Sequence, residues 1–117
     1  MVIMNFGGPR RVTATGAAPF DDILDVGVYY GSMTLLLTLI GVEGATGTPS
    51  LEITLETAME PKGGVWIALG SFTPLSVANT ADKKTFTGLL RFIRWNVTTL
   101  NNVAAATFSL TGIARNP

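Results

Sequence analysis

At 117 residues the chain fits one domain with a core of its own. It has no cysteine and no histidine, which removes disulfides, thiol nucleophiles and the usual general base near neutral pH. Eight Lys/Arg balance eight Asp/Glu, and only 14% of residues are charged, so there is no electrostatic footprint for nucleic acid or an anionic membrane. So little charge beside 47% hydrophobic residues implies apolar surface buried against other subunits.

Residues 1–20 carry Gly7, Gly8, Pro9, Gly16 and Pro19, a spacing of breakers through which no helix persists. Two short β-like pieces, residues 2–6 and 11–15, read as an extended N-terminal arm that adds a strand to a sheet. The apolar start precedes Arg10 and Arg11, the reverse of a secretory signal. The longest apolar run, residues 33–42, is half of the ~20 needed to span a bilayer as a helix. A soluble protein made in the cytoplasm is the expectation.

Residues 21–117 read as a single β-sandwich domain. A short turn or strand at 21–25 leads to strands at 32–42, 50–59, 65–72, 86–98 and 103–114. The turns between them, at 43–49, 60–64, 79–84 and 101–102, are rich in Gly, Asn and Pro, which reverse the chain. Residues 50–59 alternate most strictly: Leu51, Ile53, Leu55 and Thr57 face one way, Ser50, Glu52, Thr54 and Glu56 the other. Pro74 breaks the stretch 66–78, and Gly88 marks a bulge in 86–98. The fold class is all-β, an antiparallel sandwich, jelly roll or barrel.

Few groups invite chemistry. Glu52 and Glu56, four apart on one strand, have Cα atoms about 13 Å apart, which gives no support to a glycosidase pair needing carboxyls roughly 5–9 Å apart. Asp21, Asp22 and Asp25 lack the spacing of a calcium loop. Gly7-Gly8-Pro9-Arg10-Arg11 lacks the Lys and Ser/Thr of a phosphate loop, so its arginines anchor the arm. Residues 89–97 (LLRFIRWNV) are apolar on both faces, with an arginine on each. Such a strand is covered on both sides. The second cover is either a neighbouring subunit, anchored by Arg and Trp, or the chain itself, with the arginines paired to Glu52 or Glu56. Trp66, Trp95, Tyr29 and Tyr30 are candidates for a sugar-stacking platform or for core.

The Gly/Pro-broken arm (residues 5–19), the Thr/Gly/Ala-rich body and the closing run TFTGLLRFIRWNVTTLNNVAAATFSLTGIARNP resemble the small all-β structural proteins of tailed bacteriophages, above all capsid decoration or cement proteins. The resemblance implies a jelly roll or related sandwich that forms a homotrimer on the outer capsid of the virion and binds the major capsid protein. On that footing Phe6, Arg10 and Arg11 contact the capsid, and Arg91, Arg94 and Trp95 lie at the subunit interface. Removing residues 1–18 is then expected to leave the β-fold intact. No catalytic residue, metal, cofactor, nucleic acid or membrane is expected. The alternatives are a carbohydrate-binding sandwich module and a phage tail, baseplate or fibre module.

Overall fold

Successive side chains of a strand point to opposite sides, so each period-two run gives one face to a core and one to the outside. The computed structural model describes residues 2–6, 8–27, 31–62 and 64–115. Its strands are β1 (Val2–Asn5), β2 (Arg10–Val12), β3 (Gly16–Ala17), β4 (Leu24–Asp25), β5 (Ser32–Glu43), β6 (Ser50–Ala58), β7 (Ile67–Ser71), β8 (Thr80–Thr87), β9 (Phe92–Asn101) and β10 (Ala105–Arg115), with a 3₁₀ turn at Phe20–Asp22 before β4. They form two antiparallel sheets. The first runs β1-β10-β5-β8, with β2 also on β10; the second runs β3-β9-β6-β7, with β4 also on β9. β1 and β2 act as one interrupted edge strand, as do β3 and β4. Each sheet then has four strand positions, and the chain passes from one sheet to the other at every connection except the β6–β7 hairpin. That is a jelly roll.

The core lies between the sheets. Met33, Leu35, Leu37 and Leu39 of β5 meet Leu51, Ile53 and Leu55 of β6 and Ile93, Trp95 and Val97 of β9. Burial of each such Leu or Ile stabilises the fold by about 1.5–3 kcal/mol. Two edge-to-face aromatic pairs, Phe72–Phe86 and Trp95–Phe108, have ring centroids 5.3 Å apart. The Trp95 Nε1 is buried without a hydrogen-bond acceptor among the described residues. Gly112 sits where β10 crosses β5 most tightly: an added Cβ would lie 2.6 Å from Leu35 Cδ2 and overlap the Thr34 carbonyl oxygen.

Two strand boundaries differ from the sequence reading. Residues 79–84 are not a turn, and 86–98 is not one bulged strand. The chain turns at 77–79, where Asn79 takes φ 65°, and β8 begins at Thr80. Gly88, at φ 74°, then ends β8, and residues 88–91 carry the chain to the other sheet. The polar residues of β8 belong to an edge strand on which Phe86 reaches the core while the inward Asp82 and Lys84 meet backbone. Lys84 Nζ donates to the Ser71 carbonyl at 2.6 Å, and Asp82 Oδ2 accepts the Thr73 N–H at 2.8 Å. These two side chains latch β8 to β7 and close one seam of the sandwich. Inward charges of this kind also blunt an edge against stray pairing. Pro74 lies in the β7–β8 crossover, where the bend was expected.

The N-terminal stretch adds strands to both sheets. β1 pairs with β10 from Val2↔Ala114 to Asn5↔Thr111, β2 pairs with β10 around Arg11↔Thr107, and β3 pairs with β9. Phe6 is 3% exposed. Removing residues 1–18 therefore takes away an edge of each sheet and a core phenylalanine, which argues against the expectation that the fold survives the deletion.

Candidate interaction surfaces

The arginines singled out by sequence are all held by carboxylates of the same chain. Arg10 grips Asp22 with a fork, Nε to Oδ2 at 2.6 Å and Nη2 to Oδ1 at 2.7 Å, and Asp22 is buried. This pair spans from β2 in the first sheet to the turn leading into β4 in the second, closing the seam opposite the Lys84 latch. Arg11 Nε donates to Glu43 Oε2 at 2.7 Å near the surface. Arg11 holds the Glu43 carboxyl below its ordinary value, chiefly through that hydrogen bond. Arg91 Nη2 donates to Asp25 Oδ2 at 3.0 Å. Asp25 is lowered likewise, first by Arg91 and then by the Gly27 N–H, which donates to its Oδ1 at 2.9 Å.

Arg94 is the most enclosed of these on the outer face of the second sheet. It stands directly across from Glu56 in the β6–β9 register and donates from Nε to Glu56 Oε1 at 2.7 Å. Asn96 Nδ2 donates to the other oxygen at 3.2 Å. The guanidinium lies 4.2 Å from the Trp66 ring centroid, so the start of the hairpin's return arm covers the ion pair. Side-chain exposures are 21% for Arg94 and 14% for Glu56. The second cover over β9 is thus built from Trp66 and Glu56 of the same chain. Trp95, placed by sequence at a subunit contact, points inward and is 4% exposed; Phe6, placed at a capsid contact, is core as well. An inward-facing ring on a paired strand has no outer surface to offer.

Among the described residues the two tryptophans do not form a sugar platform, since Trp66 carries Arg94 and Trp95 is core; Tyr29 and Tyr30 lie outside the described residues. Asp22 and Asp25 spend their carboxylates on different arginines. No three acidic side chains converge as metal ligands among the described residues. Glu52 accepts from Thr98 Oγ1 at 3.3 Å.

Two surfaces escaped the sequence reading. The first is the outer face of the first sheet. Thr34, Leu36 and Thr38 of β5 are flanked by Ala81, Lys83 and Thr85 of β8 and by Ser109, Thr111 and Ile113 of β10. Lys83 is the one charge in that array, and Leu36 is exposed. The second is the end of the second sheet at the β6–β7 hairpin. Met59, Val65 and Ile67 are exposed there, and with Glu60, Gly64 and Leu90 they line a concavity of about 390 Å³. Gly64 lies so close to the Glu60 carbonyl that a Cβ would come within 2.6 Å, so a side chain there would force a shift. Lys62 rests its ammonium 4.5 Å from the ring centroid of exposed Phe20. The available signal was Val65-Trp66-Ile67, three apolar residues without alternation straight after a turn.

No protein-family model matches the chain, and no curated protein matches it. Among solved structures, the crystal structure of the SPBc2 prophage-derived protein YomS is similar, with a TM-score of 0.50 at 13% identity over 96% of this chain and 92% of that one. The likeness is one of fold.

Proposed function

We propose that this chain is a non-enzymatic structural protein of a phage particle, a trimer that decorates or cements the outer capsid by binding the major capsid protein. The outer face of the first sheet carries the reading. Its middle is threonine, serine, alanine, leucine and isoleucine with Lys83 the one charge among them, while Arg115 lies toward one end and the Arg11–Glu43 pair toward the other. Burying hydroxyls and short apolar side chains costs far less desolvation than burying ions. Such a face suits contact repeated over a lattice, where several weak contacts per trimer act together. The fold shared with a prophage-derived protein supports a phage setting. Docking falls to this sheet face rather than to Phe6 and Arg10, which tie the N-terminal stretch into the sandwich.

The test is co-sedimentation with shells assembled from the major capsid protein of the same phage. Wild-type protein is expected to sediment with shells. Leu36→Glu, which plants a charge in the middle of the face, is expected to weaken binding tenfold or more, a change of roughly 1.4 kcal/mol. Wild-type protein left in the supernatant at every concentration overturns the capsid reading, and full binding by Leu36→Glu overturns the assignment of the face.

A further inference from the structure

We infer that copies of this chain associate head to tail through the apolar end of the second sheet, with Val65 of one copy entering the concavity beside Met59 and Leu90 of the next. The inference rests on the oligomeric part of the function proposed above and names the surface that makes the oligomer. Val65 is 81% exposed at the rim of a hollow that its own side chain does not fill. Met59 and Ile67 are more than half exposed beside it. A projecting apolar side chain next to an apolar hollow is complementary to another copy of itself displaced by a rotation, a head-to-tail contact that closes into a ring when that rotation divides a full turn.

Charge points to the same occupant. Glu60 lines the hollow and Lys62 follows two residues later in the same loop. Lys62, whose ammonium rests over Phe20 beside the hollow, is then placed to face Glu60 of the next copy, and the two charges leave the loop neutral. A strongly acidic or basic partner finds no matching field there. Pairing by an added strand is obstructed. β7 spans only Ile67–Ser71, its register with β6 is interrupted between Leu55 and Glu56, and Lys84 already occupies the Ser71 carbonyl. What the patch offers is side-chain packing, with few desolvated anchors and a polar rim.

The experiment is light scattering across a concentration series for wild type, Val65→Lys, Val65→Ser, Glu60→Lys, Lys62→Glu and the double charge swap. Val77→Lys, at an exposed apolar site on the β7–β8 crossover, serves as control. Circular dichroism confirms that each variant is folded. Wild type and V77K are expected to share a trimer mass. V65K is expected to lose association by about a hundredfold or more and V65S by less; each single charge change weakens association, and the double swap recovers it. A V65K that keeps the wild-type mass overturns this surface and leaves the capsid reading standing. A wild type that is monomeric throughout also overturns it, while sedimentation with shells still decides the capsid reading separately.

Discussion

Replacing Arg94 with alanine separates an intramolecular role from an interface role. Glu56 is 14% exposed, and without Arg94 it retains only the Asn96 amide as a donor among the described residues. Removing one partner of a fully buried pair costs about 3–5 kcal/mol, whereas exposed pairs contribute about 0–1 kcal/mol. This pair lies between those limits, and the variant also loses the stack over Trp66, about 0.5–2 kcal/mol. A cost of about 2–3 kcal/mol follows for R94A. Glu56→Ala is milder, about 1–2 kcal/mol, because the long arginine stays on Trp66 and swings its head toward water. The double variant falls short of the sum, with a coupling of about 1–2 kcal/mol. Urea unfolding measures all three, with midpoints lowered by about 1–2 M for R94A at an ordinary slope for a chain this size. The series is run at two protein concentrations tenfold apart. If R94A costs less than about 0.5 kcal/mol, the range of an ordinary surface change, or if its cost appears only where subunits dissociate, the pair is not the internal cover argued here.

Gly112→Ala forces a methyl against Leu35 and the Thr34 carbonyl and is expected to cost about 1–3 kcal/mol by overpacking. Gly41→Ala, with open space around its Cβ position, is expected to leave the urea midpoint nearly unchanged; equal midpoints for the two variants would refute the crowding argument. Acid is expected to loosen the fold through Asp25 and Glu43. Both carboxyls are lowered in the folded state by arginine, so the unfolded chain takes up protons first. Their contribution is full above the ordinary carboxylate range, near pH 4–5, and fades as pH falls through the folded values. Thermal midpoints measured from about pH 6 down to about pH 3 should decline, and less steeply in Asp25→Asn and Glu43→Gln; variants that track wild type throughout would exclude these two groups as the source.

β6 was legible because its alternation is unbroken and its inner residues are all core. β8 was not, because its inward positions Asp82 and Lys84 look like turn residues. At a sandwich seam an inward side chain meets the neighbouring sheet's backbone, and a charge is then at home. β9 was read as covered on both faces, with its cover left open between a partner and the chain itself; its outer residues Phe92, Arg94 and Asn96 are half-buried and Thr98 is exposed. Trp66 and Glu56 supply that cover from well upstream in sequence, and no local pattern announces it. The N-terminal stretch read as an arm because its breakers are real; they interrupt an edge strand instead of freeing it. The hairpin-end surface was hidden by dispersal, since Met59, Val65 and Leu90 come together only when the β6–β7 hairpin and the β8–β9 connection are in place.

The pairing of Met33 with Ala114 in the middle of the first sheet also sets a timetable for folding. β5 is flanked by β10 and β8, both later in the chain, so Leu35, Leu37 and Leu39 leave the ribosome long before either neighbour exists. Contacts this distant in sequence slow folding, because loop closure precedes any gain from pairing. For that interval the nascent chain carries an unpaired, apolar, strongly β-forming segment, the kind most prone to aggregate. The β6–β7 hairpin is the one local piece of sheet available to form meanwhile, and with β9 still to come it lacks its central neighbour. Cooler, slower expression is therefore expected to raise soluble yield, since it lowers the concentration of chains waiting for their last strand.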